Sequence, residues 1–290
     1  MSAAGYLTLA WARGGPGIGV RLRTAALAAR LARAAGPAPA DDAWTLALAP
    51  MDSVRYFELE FALQSVREIE RLGSYLDVSS PRLLPALVLD ARREAHAALI
   101  NPDGKDLERT RTFIGALGFG TRCAMEVATV DGARLADELY DLVTSVSVLE
   151  HIPSPGDANA AARLWRAVRP GGRLVLTVPC ARQAFDEYLD VDEYGLLPRD
   201  AEGFVFAQRF YDARLVAETF ASACGLPRRQ EIFGERQPGL FVEDRRRKWI
   251  GQARPEREPY AMATEWARFP SVDALPGVGV VALEFVKPTR

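Results

Sequence analysis

Short apolar runs of strand length alternate with helical periodicity along the middle of the sequence. Tyr140 to Val148 is β-rich and apolar, and Arg173 to Val178 is a second run of the same kind. Between them lies one apolar face at helical spacing, formed by Ala161, Leu164, Trp165 and Val168. The pattern predicts strand, helix and strand, which must form a right-handed crossover between parallel strands.

The same alternation extends towards the start of the chain. It predicts three further strands, at Gly73 to Ser79, His96 to Asn101 and Thr121 to Ala128, with helices at Pro81 to Glu94 and Gly104 to Leu117. Strands and helices at this pitch predict a doubly wound, mostly parallel α/β sheet with helices on both faces. The run from Gly277 to Val286 predicts a late antiparallel strand at the sheet edge.

Residues 1–52 differ from the rest in composition and predict a basic, helical N-terminal extension. Five arginines precede the first acidic residue, Asp41. Val20 to Ala35 predicts an amphipathic helix, which packs on the main domain or on a partner chain in a homodimer, or serves as a targeting or membrane-surface segment. Gly14 to Gly19 (GGPGIG) predicts a turn, because no strand leads into it and no Lys-Ser/Thr follows.

A main domain is predicted over residues 53–290, opening with an amphipathic helix at Ser53 to Arg71. It contains a polar and aromatic insert at about residues 181–211, which predicts a substrate-binding segment or a lid. A helix follows from Asp212 to Cys224. The basic run from Arg245 to Lys248 either binds an anionic substrate or forms a solvated helix face, and the preceding acids favour the second interpretation.

Composition narrows the classes of protein. The net charge of −2 argues against bulk nucleic-acid binding, and no apolar run approaches the ~20 residues needed to span a bilayer. The three cysteines lie far apart without a CxxC pair, which fits a reducing cytoplasm. With two histidines and no compact carboxylate cluster, the sequence predicts no metal site.

Three short motifs carry a resemblance to a known family. YDLV at 140–143, LEHI at 149–152 and LWRAVRPGGRLVL at 164–176 resemble the second half of a class I S-adenosylmethionine-dependent methyltransferase of the small-molecule type. In that family an FDLV-type strand, a LEHI turn and a LKPGG turn follow in this order. The resemblance covers roughly Arg71 to Pro179. It implies a Rossmann-like, seven-stranded sheet, S-adenosylmethionine as cofactor, and O-methylation of a secondary metabolite or a saccharide.

The loop after the first strand departs from the family pattern. LDVSSP at 76–81 stands where the family has LDxGxGxG, with Ser79, Pro81 and Leu83 at the glycine positions. Glycine there adopts positive φ and lets the backbone approach the cofactor. Besides an active methyltransferase, two other interpretations of this sequence therefore remain open. One is a domain without cofactor that acts as a binding or scaffold protein, and the other keeps the cofactor as a structural element for a different reaction.

The candidate cofactor contacts follow strand ends, because ligands of open α/β sheets bind beyond the carboxyl ends of the strands. The resemblance implies contacts from Asp77, Ser79, Ser80, Asn101, Asp103, Asp131, Gly132 and Ser145. Ser79 and Ser80 carry hydroxyls at a helix N-terminus. Plain turn chemistry is the alternative for the Asn101-Pro102-Asp103 and Asp131-Gly132 segments.

His151, in the LEHI turn, is the candidate catalytic base, because an unperturbed histidine titrates near neutrality. The alternative is that it only bonds local backbone. Candidate substrate contacts come from the insert and the segment after it, namely Tyr188, Tyr194, Arg209 and Tyr211. The alternative is that the aromatic residues there simply pack a lid.

Overall fold

A computed structural model describes residues 1–34, 37–191 and 195–289. Its helices are α1 (Ala3–Ala12), α2 (Ile18–Leu31), α3 (Pro37–Leu48), α4 (Arg55–Glu68), α5 (Leu83–Ala91), α6 (Gly104–Ala116), α7 (Gly156–Ala167), α8 (Ala213–Val216), α9 (Ser222–Cys224), α10 (Leu240–Trp249) and α11 (Glu258–Thr264). Its strands are β1 (Ser74–Val78), β2 (His96–Ile100), β3 (Cys123–Glu126), β4 (Tyr140–Val146), β5 (Val168–Ala181), β6 (Phe185–Leu189), β7 (Val205–Phe210), β8 (Arg229–Glu235), β9 (Trp266–Phe269) and β10 (Val278–Val286). None of the helices in these ranges combines enough length and apolar character to cross a bilayer.

Among the described residues, eight strands form one sheet in the order β3-β2-β1-β4-β5-β10-β8-β9. The first five are parallel, β10 is antiparallel to both of its neighbours, and β9 is antiparallel to β8. The predicted doubly wound, mostly parallel α/β fold is therefore confirmed. Because β1 pairs with both β2 and β4, the strand order reverses at β1, and a crevice opens beyond the carboxyl ends of these strands.

The sheet differs from the predicted one in two respects. It has eight strands in the described residues where seven were predicted, because β9 adds to β8. The closing strand β10 is interior and not an edge strand, and residues 279–285 are buried on both faces of the sheet. The polar side chains of β8 are paired, for example Arg229 with Glu284 on β10 at 3.2 Å.

Side chains alternate between two apolar clusters, one on each face of the sheet. Tyr75 and Leu142 belong to the cluster under α4, α5 and α6. Their chain neighbours, Leu76 and Val143, belong to the cluster under α7, α8 and α9. The core thus fixes which residues can reach the crevice, because those at the last position of a strand or just past it border the space beyond the two packed layers.

The N-terminal helices pack against the residues that follow them. The Arg30 guanidinium on α2 forms an ion pair at 2.7 Å with Asp90 on α5, and the rings of Tyr6 and Tyr260 lie 5.8 Å apart between α1 and α11. This packing matches one of the alternatives for the predicted amphipathic helix. Trp11 and Trp44 stay largely exposed on these helices, and the homodimer stays a prediction.

Gly17 marks a close approach between α2 and α4. It takes a left-handed conformation, with φ of +70°, and a Cβ atom there would lie 2.2 Å from the carbonyl oxygen of Tyr56. We expect Gly17→Ala to lower the free energy of unfolding by at least ~2 kcal/mol, since it adds a clash to the backbone strain. Gly19→Ala, inside α2 with nothing within 4 Å, is the matched control and should stabilise the helix by ~1 kcal/mol. Urea unfolding of both variants measures the difference, and equal effects would contradict the contact.

Candidate active site

A cavity of about 440 Å³ occupies the crevice at the carboxyl ends of the parallel strands. We call it the crevice cavity. Its apolar wall comes from the strand ends and from the insert, through Val78, Ala128, Val130, Val148, Ile152, Pro153, Val191, Leu196, Leu197, Val205 and Phe206. Its acidic residues are Asp103, Asp106 and Asp131, and the described lining includes no lysine or arginine. The cavity therefore suits a flat apolar group joined to hydroxyls or to a positive charge.

A second cavity, of about 430 Å³, lies between α3, α4 and the start of α5. We call it the basic cavity, because Arg55, Arg82 and Arg109 line it. Asp42 partly balances this charge, since it pairs with Arg82 at 3.5 Å. This cavity shares Ser79, Asp106 and Ser147 with the crevice cavity, so the acidic and basic regions adjoin.

A third cavity, of about 320 Å³, lies under the β6–β7 hairpin and α10, and we call it the lid cavity. Phe210, Phe241 and Trp266 contribute aromatic surface to it. Its charged residues are mostly paired with one another: Arg245 binds Glu187 through contacts of 2.7 and 2.8 Å, and Lys248 lies 2.6 Å from Asp52. A wider surface cleft, between α10 and α11, lies away from the strand ends.

Ser147 lines all three cavities. Its backbone is left-handed, with φ of +50°, and its N–H donates to the carbonyl of Thr177 at 3.0 Å. Its hydroxyl donates to Glu58 at 2.6 Å, and the same buried carboxylate accepts from Thr177 at 2.7 Å and pairs with Arg55. The fully buried carboxylate of Glu58 thus fixes the side chain of Ser147, which lies where the three cavities meet.

The loop after β1 achieves with a serine the backbone conformation that glycine favours. Ser79 has φ of +49°, a conformation that costs a residue other than glycine about 1–3 kcal/mol. Its N–H donates to the carbonyl of Ile100 at 2.9 Å, which fixes the turn. The missing glycines therefore do not prevent the turn, and Ser79 lines both the crevice and the basic cavity.

Asp77 and Ser80, unlike Ser79, do not line the crevice cavity. The carboxylate of Asp77 is buried, and it accepts from the hydroxyls of Tyr75 at 2.9 Å and Thr144 at 2.6 Å, and from the Ser80 N–H at 3.2 Å. Burial raises the pKa of this carboxyl. Asp77 lines none of the three cavities, and Ser80 lines only the basic cavity.

The turn after β2 uses its polar groups both locally and as cavity lining. Asn101 accepts from the Asp103 N–H at 2.9 Å, and Asp103 caps α6 through the Lys105 N–H at 2.8 Å. These bonds are those of a plain turn, the alternative interpretation of Asn101-Pro102-Asp103. Both Asn101 and Asp103 nevertheless line the crevice cavity. Asn101 also donates to Asp106 at 3.0 Å, and Asp106 is a cavity residue that no motif of the sequence marks.

Asp131 lines the crevice cavity, whereas Gly132 and Ser145 are absent from the described lining of the three cavities. The N–H of Gly132 donates to the hydroxyl oxygen of Thr129 at 3.0 Å, within the turn. Ser145 is buried within β4, and its hydroxyl has no hydrogen-bond partner among the described residues. The serine that reaches the cavities is Ser147, two residues further along the chain.

The candidate substrate contacts lie outside the three cavities where they are described. The hydroxyl of Tyr211 donates to Asp157 at 2.9 Å in the buried core, and Arg209 bonds Asp157 at 3.0 Å. Tyr188 is half exposed and packs edge-on against Phe206. Tyr194 lies outside the described residues. The insert contributes other side chains to the cavities, among them Phe206 and Phe210.

His151 stands between the crevice cavity and the lid cavity. Its Nδ1 atom lies 2.5 Å from the carbonyl oxygen of Ala207 on β7. Because a carbonyl can only accept, Nδ1 carries the proton, and in the neutral ring Nε2 is an acceptor. Nε2 lies 3.9 Å from the carboxylate of Glu150, which is too far for a hydrogen bond.

Comparisons with known proteins agree with this architecture. Residues 76–176 match the family model described as a methyltransferase domain. Among solved structures, the MccD protein superposes with a TM-score of 0.53 at 9% identity, over 80% of this chain and 96% of that chain. Geranyl diphosphate C-methyltransferase from Streptomyces coelicolor A3(2), in complex with Mg²⁺, geranyl diphosphate and S-adenosyl-L-homocysteine, gives 0.50 at 9% identity, over 80% and 77% of the two chains.

A geranyl diphosphate methyltransferase in complex with S-adenosylmethionine gives a TM-score of 0.50 at 11% identity, over 81% of this chain and 88% of that chain. At these identities the likeness shows the fold, and no curated protein matches the sequence. The match to the methyltransferase domain spans β1 to β4 and most of β5, the strands whose ends form the crevice. The matched region supports an enzyme that transfers a methyl group, with S-adenosylmethionine as its cofactor.

Proposed function

We propose that this methyltransferase methylates a hydroxyl group of a small molecule, such as a secondary metabolite or a saccharide. The observation that carries the proposal is the meeting of three chemically different cavities at Ser147. The crevice cavity and the basic cavity together suit the cofactor, and the lid cavity suits the acceptor. The geranyl diphosphate methyltransferases of the same fold also act on a small molecule.

The donor groups of the two cofactor cavities match the charges of S-adenosylmethionine. The crevice cavity has apolar walls for an adenine ring and carboxylates for ribose hydroxyls, and Asp106 adds negative charge where it adjoins the basic cavity. Arg82 and Arg109 of the basic cavity suit the carboxylate of the aminoacid end. When bound, the cofactor supplies an electrophilic methyl group on a positively charged sulfur.

The lid cavity would hold the acceptor next to this methyl group. Ser147 and His151 border both the crevice cavity and the lid cavity, so a ligand in each would meet there. Alignment of two reactants in this way supplies ~7 kcal/mol or more of the barrier reduction without a special catalytic group. The role of His151 as base remains a prediction. The buried free thiols of Cys123, Cys180 and Cys224 fit a reducing cytoplasm, which we propose as the compartment.

Titration calorimetry with S-adenosylmethionine and S-adenosylhomocysteine tests the cofactor half of the proposal, and we expect micromolar binding of both. The acceptor half is tested by incubation with methyl-labelled cofactor and a set of small hydroxyl compounds, with matched amines and carboxylic acids for comparison. Label transferred only to amines or carboxylates would contradict hydroxyl methylation. Failure to bind either cofactor form would contradict the cofactor assignment.

Asp106→Ala should weaken the binding of S-adenosylhomocysteine by ~10-fold or more. The variant removes a carboxylate shared by the two cofactor cavities, and a hydrogen bond to a charged group contributes ~1.5–3 kcal/mol. Glu108→Ala is the matched control, because Glu108 lies on the same helix with an exposed side chain. Calorimetry on both variants makes the comparison, and equal affinities would remove Asp106 from the proposed site.

A further inference from the structure

Glu150 is a buried carboxylate at the border of the lid cavity. It lies in the turn Leu149–His151 after β4, and only 2% of it is exposed. Its Oε2 atom has no hydrogen-bond partner among the described residues, although the residue lines the lid cavity. The indole N–H of Trp266, which lines the same cavity, is likewise buried without a partner in the described chain. Buried polar atoms without partners are rare in proteins, and they indicate a ligand here.

Charged groups approach Glu150 from several elements. Arg55 and Glu58 face it from α4, but they pair with each other. Tyr211, after β7, interacts with it electrostatically, and the Nε2 atom of His151 lies 3.9 Å away on the same turn. Across the lid cavity Glu187 pairs with Arg245, and Lys248 with Asp52. Arg55 is thus already paired with Glu58, and Glu150 has no ion pair with a lysine or an arginine among the described residues.

We propose that Glu150 takes the proton that an aromatic hydroxyl loses when it is methylated in the lid cavity. The inference rests on the proposed function and specifies its acceptor class. The aromatic side chains of Phe210, Phe241 and Trp266 line this cavity, and they suit an aromatic ring. Such a ring would carry its hydroxyl towards the border with the crevice cavity, where Glu150, His151 and Ser147 lie.

The atoms and electrons of the step balance. A lone pair on the hydroxyl oxygen forms the new bond to the methyl carbon, the carbon–sulfur bond breaks with its electron pair staying on sulfur, and the hydroxyl proton goes to Oε2 of Glu150. Glu150 then releases the proton to water. No oxidant, reductant or further reactant takes part.

The protonation behaviour of Glu150 suits this task. Burial raises the pKa of the Glu150 carboxyl to about 8; its own backbone N–H, Arg55 and the Ser147 hydroxyl oppose this rise, and Glu58 reinforces it. A phenolic hydroxyl such as that of tyrosine ionises near pH ~10. A carboxylate with a raised pKa takes such a proton with a smaller penalty than an ordinary carboxylate with a pKa of ~4.3, and it is still partly ionised near neutral pH.

Glu150→Gln tests the proposal with labelled S-adenosylmethionine and two probes, phenol and 4-nitrophenol. General base catalysis contributes ~10²–10⁴-fold, so we expect the variant to lose at least ~100-fold in kcat/KM towards phenol. The nitro group lets 4-nitrophenol ionise without help near neutral pH, so its loss should stay below ~10-fold. Wild-type activity towards phenol should rise with pH to a plateau above pH ~8, whereas the activity of the variant should keep rising towards the phenolic pKa of ~10.

A second measurement does not depend on turnover. The infrared carbonyl band of a protonated carboxylic acid should disappear from the wild-type protein with an apparent pKa of about 8, and this titration should be absent from Glu150→Gln. Glu94→Gln, an exposed carboxylate on the far side of the sheet, is the control and should leave kinetics and band unchanged. Unchanged binding of S-adenosylhomocysteine to Glu150→Gln shows that the cofactor site is intact.

Three results would overturn the inference. Equal losses towards both phenols would give Glu150 a structural role only. Retained activity in Glu150→Gln, together with its loss in His151→Asn, would make His151 the base. A wild-type protein that binds S-adenosylhomocysteine yet methylates neither phenol would reject the aromatic acceptor and leave the methyltransferase function standing. Absence of cofactor binding in the wild type would instead contradict the proposed function itself.

Discussion

Glu58→Ala is expected to lower the free energy of unfolding by about 3 kcal/mol, because it leaves the partly buried guanidinium of Arg55 without its partner. The same substitution removes the acceptor for the hydroxyls of Ser147 and Thr177. The effect should therefore extend to the site, with weaker binding of S-adenosylhomocysteine where the three cavities meet. Urea unfolding and calorimetry on the purified variant measure the two losses.

Two further variants test whether the effect comes from leaving one charge of the Arg55–Glu58 ion pair unpaired. The double variant Arg55→Met with Glu58→Leu removes both charges, and we expect it to recover most of the lost stability, since apolar residues often replace buried ion pairs at little cost. Glu60→Ala is the control on the same helix, where a partly exposed carboxylate lies 3.6 Å from Arg268, and it should cost less than ~1 kcal/mol. If Glu58→Ala lowers the free energy of unfolding by no more than Glu60→Ala does, the hydrogen bonds and the ion pair of Glu58 do not stabilise the fold.

The stability of the wild-type protein should fall as the pH rises from ~4.5 to about 8, and Glu150→Gln should remove part of this fall. Burial raises the folded-state pKa of Glu150 to about 8, whereas in the unfolded chain it is ~4.3. Between these values the folded state binds more protons than the unfolded state, so raising the pH favours unfolding. By pH 8 the ionisation of Glu150 should have lowered the free energy of unfolding by an amount on the order of 4 kcal/mol.

Denaturant unfolding of the two proteins at pH 5 and pH 8 measures this contribution. The difference between wild type and variant isolates Glu150, because Glu258, whose pKa burial raises to about 7, is present in both. The free energy of unfolding of the variant, relative to that of the wild type, should increase between pH 5 and pH 8. Parallel pH dependence in the two proteins would mean that Glu150 titrates as an ordinary carboxylate.

The parallel half of the sheet could be predicted from the sequence because its strands are short apolar runs, and a helix follows β1, β2 and β4. β1, β2, β3 and β4 lie within the predicted ranges. β8 and β9 were not predicted, since their polar side chains break the apolar pattern. Those side chains are satisfied by residues far away in the chain, as with Arg268 of β9 and Glu60 of α4. Such distant pairings have no local signal.

The site was harder to predict than the fold, because it depends on where each strand stops and on which way each side chain turns. Ser145 was singled out on β4, but β4 ends at Val146, and Ser147 is the serine in the turn that follows. Asp77 has the family position at the end of β1, yet Thr144, 67 residues further on, holds its carboxylate inside the sheet. Glu150 stood within the LEHI motif, although only its burial and its unpartnered oxygen draw attention to it.

The position of β10 has a consequence for how the chain folds during synthesis. β8 and β9 precede β10 in the chain, but β10 separates them from the parallel strands in the sheet. Nascent β8 and β9 therefore lack their native neighbour in the sheet until β10, which ends at Val286, has been synthesised. The parallel half can assemble first, with β5 as its exposed edge, and during that interval the edge is open to pairing with other chains. The late arrival of β10 closes it.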